Sequence, residues 1–359
     1  MNNRIVYKKT SKYCKLPGFT DVHVHLREPG FLYKETISTG CEAARAGGYA
    51  CVCTMPNLDP VPDSIENLQI QLDAISKEAD RAGKERKTAV KVLPYGSITV
   101  GEKGEELSDM GAMAPHVIAF SDDGVGVADR GLMKTAMLKA KTLGKLIVAH
   151  CEDPNYPKES SKSEYMQLAS DIELVRETGC SYHVCHISTK ESVELVRKAK
   201  KEGLDITCET APHYPVLNRG MMEDHGRFKM NPPIKSEEDR LALIAGIKDG
   251  TIDMIATDHA PHSREEKDVT FADSEYGIVG LETAFPVLYT KLVRPGIISL
   301  ERLVEMMAYA PCRRFGIAAA ETTYLWDLET EHIIEPERFC SKGRSTPFEG
   351  WKVYGRILK

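Results

Sequence analysis

Five side chains that can bind a divalent metal ion lie in or just after four separate apolar stretches of this sequence. His23 and His25 lie two positions apart, and His150, His186 and Asp258 each come after an apolar run of their own. Residues two apart on a strand point to the same side, so the first two imidazoles can face one cation. An H-x-H pair alone is equally compatible with hydrogen-bonded core histidines, but four imidazoles and a carboxylate at strand ends favour a metal centre. Nitrogen and hard oxygen ligands suit zinc better than manganese or iron.

Another apolar run, which begins at Val117, ends in the adjacent acids Asp122 and Asp123. Two metal ions ~3.5–4 Å apart need a bridging anion, and either carboxylate could supply it. A solvated turn before Gly124 and Gly126 is the alternative interpretation. The glycine spacing does not follow G-x-G-x-x-G, so the sequence gives no support to a dinucleotide-binding loop.

Eight short apolar runs, most of them followed by a longer amphipathic stretch, must position these residues. This alternation is typical of parallel strands buried between helices, and eight repeats predict a closed (β/α)8 barrel of the α/β class. The predicted strands begin near Phe19, Tyr49, Lys87, Val117, Lys145, Tyr182, Asp205 and Asp253. Helices are predicted most clearly over residues 64–82, 129–143, 190–202 and 237–249. The candidate ligands come at the carboxyl ends of strands, where barrel enzymes assemble their active sites.

The composition is that of an ordinary globular protein. The chain has 359 residues, of which 42% are hydrophobic and 28% charged, and its net charge is −6. These values exclude a disordered chain, and without a basic cluster no nucleic-acid partner is expected. Residues 1–15 contain no apolar core of a signal peptide, and no window approaches the ~18 apolar residues of a membrane span. The ten scattered cysteines form no C-x-x-C pair, so we predict a cytoplasmic protein with buried thiols and no membrane association.

Motifs throughout the chain resemble those of the dihydroorotases, in the type I bacterial branch of the amidohydrolase superfamily. They occur in the family's order between about residues 17 and 348: D-V-H-V-H-L-R-E-P-G from Asp21, M-P-N from Met55, F-S-D-D-G from Phe120, A-H-C-E-D from Ala149, C-H-I-S-T from Cys185, K-M-N-P-P from Lys229 and A-T-D-H-A-P-H from Ala256. The resemblance implies a TIM barrel of the metal-dependent amidohydrolase type that holds one or two zinc ions per subunit.

The resemblance also implies a role for individual residues. Six metal ligands are divided between two ions, with Asp123 as the bridge: His23, His25 and Asp258 for one ion, and His150 and His186 for the other. Many relatives bridge with a carboxylated lysine instead, but residues 117–123 contain no lysine. The positions that match substrate contacts are Arg27, Asn57, Asn231, His262, Tyr276 and Gly277.

The implied activity is that of a dihydroorotase: zinc-dependent, reversible cyclisation of N-carbamoyl-L-aspartate to L-dihydroorotate in de novo pyrimidine (UMP) biosynthesis. Arg27 can hold the substrate carboxylate through two parallel hydrogen bonds, with Asn57 and His262 as further donors. An ion pair between Arg27 and Glu28 or Glu35 at the barrel rim is the alternative.

Asp258 is predicted to be catalytic, because a carboxylate beside the metal can carry a proton from the attacking water to the departing amide nitrogen. A ligand without a proton role is the alternative. His183, His213 and His259 also lie near strand ends, and we expect them to be satisfied core groups or supports of the ligands.

Two other functions stay open at this point. The first is another cyclic amidase, a hydantoinase or an allantoinase, and the second is a catalytically silent dihydroorotase-like protein that binds a partner enzyme. The expected partner is a small-molecule substrate, and a homodimer and association with aspartate transcarbamoylase are compatible with the resemblance.

The predicted domain organisation is a single catalytic barrel with two flanking segments. Residues 1–16 form an N-terminal extension, residues 17–316 form the barrel, and residues 317–359 form a C-terminal tail that packs on it. Full-length relatives usually carry a small β-sandwich built from residues before and after the barrel. Here the first predicted strand lies almost at the start of the chain, so we expect this sandwich to be absent or vestigial.

Overall fold

The computed structural model describes residues 12–85 and 87–358 of the chain. The strands in chain order are β1 (Tyr13–Pro17), β2 (Phe19–Val24), β3 (Tyr49–Thr54), β4 (Lys91–Pro94), β5 (Ile147–Ala149), β6 (Tyr182–Val184), β7 (Ile206–Thr210), β8 (Met254–Ile255), β9 (Thr323–Asp327), β10 (His332–Ile333), β11 (Lys352–Val353) and β12 (Arg356–Ile357).

Strands β2 to β8 form a closed parallel ring. They are arranged as β2-β3-β4 and β5-β6-β7-β8, and single bridges join the two sheets. Phe120 pairs with Gly96 on one side and with Ile147 on the other, and Val24 pairs with His259. The predicted (β/α)8 barrel is therefore confirmed.

The strand predicted to begin near Val117 is the irregular member of the ring. Its backbone bonds to both neighbours, since the Ile118 amide donates to the Pro94 carbonyl at 2.9 Å and the Phe120 amide donates to the Leu146 carbonyl at 3.1 Å. The paired stretch is too short to make a regular strand, but it closes the gap between β4 and β5.

Helices alternate with the strands, and several pack directly on them. They are α1 (Ile37–Ala46), α2 (Ile65–Lys84), α3 (Met110–Met113), α4 (Arg130–Thr142), α5 (Ser161–Thr178), α6 (Lys190–Lys201), α7 (Glu237–Asp249), α8 (Arg264–Lys267), α9 (Ala284–Leu288), α10 (Leu300–Val304) and α11 (Ala310–Phe315). Ser64, Asp129, Thr189 and Ser236 each accept a hydrogen bond from the amide three residues on, which explains why helix starts were predictable there. Within the described part of the chain, no helix is both long and apolar enough to cross a membrane.

The side chains of β3 show how the barrel is filled. Cys51 and Cys53 belong to a buried cluster that also takes Val148 and Met254 from other strands of the ring. Val52, between the two cysteines, joins the larger cluster that includes residues of the surrounding helices. This alternation is that of a strand buried on both faces. Nine of the ten cysteines are buried as expected, but Cys340 is exposed.

A small accessory sheet is built from residues before and after the barrel. β1 and β12 both pair antiparallel with β9, and β10 pairs with β11. The buried Trp326 of β9 packs on the barrel, with ring centroids 4.2 Å from Phe285 and 5.6 Å from Phe19. The expected accessory element is therefore vestigial and not absent.

Candidate active site

All six predicted metal ligands lie at one end of the barrel. His23 and His25 flank Val24, the last residue of β2. Asp123 follows the irregular strand that contains Phe120, and His150, His186 and Asp258 follow β5, β6 and β8. Each of the six is at least nine-tenths buried: His23, His25, Asp123, His150, His186 and Asp258. The structure thus brings together residues from five separate segments of the sequence.

Asp123 lies at the centre of this group. Its Oδ2 is 3.3 Å from His23 Nε2 and 3.4 Å from His25 Nε2. Its Oδ1 is 3.5 Å from His186 Nε2 and 3.8 Å from His150 Nδ1. The two oxygens of one carboxylate therefore face two different pairs of imidazoles, which is the arrangement that a bridging ligand needs.

Asp258 joins the first of these pairs. Its Oδ1 is 3.3 Å from His25 Nε2 and 3.6 Å from His23 Nε2. Its backbone has a φ of +50°, and that of His186 has a φ of +26°, conformations that residues other than glycine rarely adopt. Backbone strain of this kind persists where the surrounding structure fixes a functional side chain.

Two glutamates outside the ligand set determine which ring nitrogens face the centre. Glu209 accepts a hydrogen bond from His23 Nδ1 at 2.9 Å, and Glu152 accepts one from His150 Nε2 at 3.0 Å. When these nitrogens carry the protons, the opposite nitrogens, His23 Nε2 and His150 Nδ1, are the ones that can bind a metal ion; in this structure His150 Nδ1 lies 3.1 Å from His186 Nε2. The sequence interpretation did not single out either glutamate, although Glu209 is a charged residue within a buried strand.

The adjacent acid Asp122 contacts the backbone and not the imidazoles. Its carboxylate accepts hydrogen bonds from the backbone amides of Ile98 at 2.6 Å and Thr99 at 3.1 Å. It thereby fixes the loop after β4, and only Asp123 faces the imidazoles. Of the two acids, this geometry favours Asp123 as the candidate bridge.

Several buried atoms in the group have no hydrogen-bond partner among the described residues: His23 Nε2, His25 Nδ1, Asp123 Oδ1 and His186 Nδ1. A buried polar atom without a partner costs about 1–3 kcal/mol. A cation bound between the imidazoles and the carboxylates would satisfy those atoms that face the centre. The ligand atoms of His23, His25 and Asp258, and those of His23, Asp123 and His186, lie within 4.8 Å of one another, so the residues fit a metal ion.

The charges of the group are mutually dependent. Burial raises the pKa of Asp258, but the hydrogen bond to His25 and the charge of His23 outweigh it and lower that pKa to about 2. Burial also opposes ionisation of Asp123, and again the charge of His23 holds its pKa well below the usual value. Both carboxylates are therefore anionic at neutral pH, as cation binding requires.

Beside the ligands is a cavity of about 280 Å³, lined by Arg27, Phe31, Lys34, Asn57, Leu58 and Glu102. The Nε of Arg27 donates to the Pro261 carbonyl at 3.2 Å, and the residue has a φ of +59°. This bond anchors one edge of the guanidinium. Sequence analysis missed Lys34 and Glu102, neither of which lies in a motif used above.

His262 connects this cavity to the loop after β8. Its Nδ1 accepts from Lys34 Nζ at 3.1 Å, so its Nε2 carries the proton and donates to the Tyr276 carbonyl at 2.8 Å. Burial and the charge of Arg27 lower the pKa of His262 to about 3, which keeps the ring neutral. The neighbouring Gly277 has a φ of +139°, and a Cβ there would lie 2.6 Å from the Ala260 carbonyl oxygen, so a glycine is required.

The two candidate asparagines are engaged differently from what we expected. The Nδ2 of Asn57 donates to the Asp123 carbonyl at 2.6 Å and to the Glu102 carboxylate at 3.1 Å. Both of its amide hydrogens thus have protein partners, which leaves the amide oxygen as the group that could face a substrate. Asn231 Nδ2 donates to Glu152 at 2.7 Å, which places this side chain against the support of a metal ligand.

Glu102 is the unexpected neighbour of this site. Burial and the nearby carboxylates of Asp122 and Asp123 raise its pKa to about 9. Its backbone has a φ of +55°. A neutral carboxyl group therefore faces the cavity that contains Arg27.

Of the three additional histidines, His183 matches the expectation of a satisfied core group, because its Nδ1 lies 2.7 Å from Thr207 Oγ1 and its Nε2 3.1 Å from Glu209. His259 matches it in part: its Nδ1 accepts from the Gly280 amide at 3.2 Å, but its buried Nε2 only approaches Glu35 at 3.5 Å and has no hydrogen-bond partner among the described residues. His213 does not match, because its buried Nε2 has no partner within the described residues. Burial lowers its pKa to about 4, so it is a neutral imidazole.

Comparison with known proteins is consistent with this geometry. Residues 14–165 match a family described as Dihydro-orotase-like. A dihydroorotase from Brevibacillus brevis is 48% identical over 94% of this chain and 84% of its own length, and one from Fusobacterium nucleatum is 47% identical over 94% and 83%. The chain belongs to the dihydroorotase family.

Solved structures similar to this dihydroorotase family member show the same fold. An L-hydantoinase (dihydropyrimidinase) from Arthrobacter aurescens has a TM-score of 0.80 at 24% identity, covering 96% of this chain and 83% of its own. A D-hydantoinase (dihydropyrimidinase) from Thermus sp. has a TM-score of 0.81 at 22% identity, covering 96% and 82%. At such identities the likeness describes the barrel and not the substrate.

Proposed function

We propose that this protein is a metal-dependent dihydroorotase that interconverts N-carbamoyl-L-aspartate and L-dihydroorotate in de novo pyrimidine biosynthesis. The observation that carries the proposal is the position of Asp123, whose two oxygens face two separate pairs of buried imidazoles. The relatives named dihydroorotase, at 45–48% identity over most of the chain, supply the reaction class, a hydrolase acting on cyclic amides.

The proposed cofactor is zinc, with one or two ions per subunit. His23, His25 and Asp258 would hold one ion, His150 and His186 the other, and Asp123 would lie between them. Bound zinc lowers the pKa of water and polarises a carbonyl group. Glu209 and Glu152 would keep the rings of His23 and His150 in the tautomers that metal binding requires.

Arg27 is proposed to bind the substrate carboxylate. Its Nε is anchored on the Pro261 carbonyl and its Nη2 lies 3.3 Å from His262 Nε2, which fixes the guanidinium beside the cavity, where its forked donors would match a carboxylate. Asn57 would accept a substrate N–H through its amide oxygen, since its own N–H groups are already engaged. We also assign His262, Tyr276, Gly277 and Asn231 to this substrate side, the last through its contact with Glu152.

Asp258 is proposed to carry the proton. A carboxylate with a pKa near 2 is ionised at neutral pH and can accept a proton at Oδ. Ring opening then returns this proton to the departing amide nitrogen, and ring closure reverses the transfer.

The family resemblance extends the proposal beyond the site. It includes a cytoplasmic location, a homodimer, association with an aspartate transcarbamoylase, and residues 17–316 as the catalytic unit with 1–16 and 317–359 as flanking segments.

A comparison of three cyclic amides tests the proposed function. Purified zinc-loaded protein is assayed with dihydroorotate, hydantoin and allantoin. We expect turnover of dihydroorotate at a kcat/KM at least ~10²-fold above the other two, because only dihydroorotate presents a ring carboxylate to Arg27. Preference for either other ring would make the protein another cyclic amidase, and a metal-loaded protein inactive on all three would be a silent relative.

A further inference from the structure

A second cavity, of about 310 Å³, lies on the far side of the loop that carries His262. We name it the tail cavity, because part of its wall is residues 336–349 of the C-terminal segment. The rest comes from the loop after β8 and from the short helical turn Gly226–Phe228. It shares only His262 with the candidate active site.

The wall of the tail cavity is rich in cationic side chains. Three acids, Asp268, Glu337 and Glu349, face five bases: Arg227, Arg264, Lys267, Lys342 and Arg344. The whole chain has a net charge of −6, so this excess of positive charge is local. A concave site of this kind concentrates anions.

Among these residues, Lys267 gives the strongest indication of an anion site. It is only 2% exposed, and its Nζ donates to the carbonyls of Lys229 at 3.0 Å and Glu275 at 2.6 Å. No carboxylate in the described part of the chain forms an ion pair with it. Burial and the nearby charge of Lys229 lower its pKa to about 7. Burial thus favours the neutral amine, and an anion bound beside it would favour the charged form.

The arginines of the wall retain unused donors. Arg264 is largely exposed, and its Nε only reaches Asp268 at 3.4 Å. Arg344 donates from one terminal nitrogen to Glu337 at 2.9 Å. The terminal nitrogens of Arg227 pair with Glu349 at 3.1 Å and with Glu223, but its Nε and the Oγ of Ser345 are buried without a hydrogen-bond partner among the described residues. Forked donors around a buried ammonium suit a phosphate group better than a single carboxylate.

From these observations we propose that the tail cavity binds a phosphate group, free or esterified to a small molecule. Its volume exceeds that of inorganic phosphate and leaves room for an organic substituent. A site of this kind is separate from the proposed reaction, so its existence does not depend on the proposed function.

A ligand bound in the tail cavity should affect substrate binding at the active site through His262. Gly343 packs so closely that a Cβ there would lie 2.6 Å from Pro261 Cβ and 3.2 Å from the His262 amide nitrogen. Pro261 also accepts the anchoring bond from Arg27. Bound phosphate is therefore expected to change KM for the substrate more than kcat, and this second effect rests on the proposed function.

The test is calorimetric titration of zinc-loaded protein with inorganic phosphate and, separately, with glycerol 3-phosphate and AMP. We expect binding to the wild type and roughly tenfold weaker binding to Arg344→Gln, the loss typical of one charge-assisted hydrogen bond. Lys342→Gln provides a second exposed variant. Arg338→Gln is the matched control, because Arg338 lies in the same segment and pairs with Glu335 but does not line the cavity.

Three outcomes decide the proposal. Weaker binding to Arg344→Gln and Lys342→Gln, with unchanged binding to Arg338→Gln, supports it, and tighter binding of an ester than of phosphate identifies the esterified source. Equal affinity of all variants and the wild type overturns it, since the phosphate then binds elsewhere, as at the metal centre. Absence of binding of all three compounds up to ~10 mM, far weaker than a specific site, also overturns it.

Discussion

The two sides of the barrel mouth differ in how their polar atoms are satisfied. On the ligand side, His23 Nε2 and Asp123 Oδ1 are buried without a hydrogen-bond partner among the described residues. On the cavity side, both amide hydrogens of Asn57 and both ring nitrogens of His262 are engaged with other protein groups. The ligand side therefore has unpaired atoms that can bind an ion, whereas the polar groups of the cavity side are held in place by hydrogen bonds to other protein groups.

Because of this difference, the two sides should respond differently to mutation. Changes on the ligand side remove groups that nothing else in the protein replaces, so they should affect metal content and kcat. Changes on the cavity side alter an existing hydrogen-bond network, so they should mainly affect KM.

The largest effect is expected for Asp258→Asn. The substitution keeps the size and one oxygen ligand but removes the basic group, so the rate should fall roughly 10²–10⁴-fold, the usual range for general acid–base catalysis. The assay measures kcat in both directions on protein whose zinc content equals that of the wild type. A loss below about tenfold in both directions would leave Asp258 as a ligand only.

Glu209→Gln tests whether the support of His23 is as important as the contact with the metal. The amide cannot hold the His23 Nδ1 proton as an anion does, so zinc affinity or activity should fall about 10–100-fold. Zinc affinity is measured by competition with a chelator. Glu173→Gln, on the exposed face of α5, is the control and should behave as the wild type. Equal zinc affinity and kcat in the Glu209 variant would contradict the assigned tautomer.

Arg27→Lys tests the cavity side. A lysine retains the charge but not the forked pair of donors. The value of kcat/KM for dihydroorotate should therefore fall by a factor equivalent to about 1–3 kcal/mol of transition-state binding, the range for a hydrogen bond to a charged group. Most of this loss should be in KM, with bound zinc unchanged. Arg130→Lys on α4 controls for the general effect of the substitution. An unchanged kcat/KM would mean that the carboxylate binds elsewhere.

The smallest effect at neutral pH is expected for Glu102→Gln. Because the pKa of Glu102 is raised to about 9, the wild-type side chain is neutral below that pH, and glutamine resembles it. Above pH 9 the wild-type carboxyl ionises beside an anionic substrate, so its KM should rise, whereas that of Glu102→Gln should not.

The measurement for Glu102 is KM between pH 7 and pH 10, with the exposed Glu105→Gln in the same loop as control. An increase in KM of about tenfold at pH 7 in Glu102→Gln, equivalent to ~1.4 kcal/mol, would show that the ionised carboxylate takes part in binding.

The sequence was sufficient for the barrel and for bringing the ligands together, because buried parallel strands leave continuous apolar runs and their ends meet at one face. It was not sufficient for the partners of each ligand. Glu209 is 186 residues from His23 in the sequence and contacts it only through the fold, so no local spacing reveals that it holds this ligand. The same is true of Glu102, whose contact with Asn57 depends on a loop with positive φ.

The most direct test of the central claim is zinc titration of metal-stripped protein, with dihydroorotate hydrolysis as the readout. We expect no turnover by the stripped protein and recovery that saturates at one or two equivalents of zinc per subunit, the capacity of a site with one or two metal positions. Undiminished turnover by protein from which all metal has been removed, or no turnover after saturation, would contradict zinc-dependent catalysis.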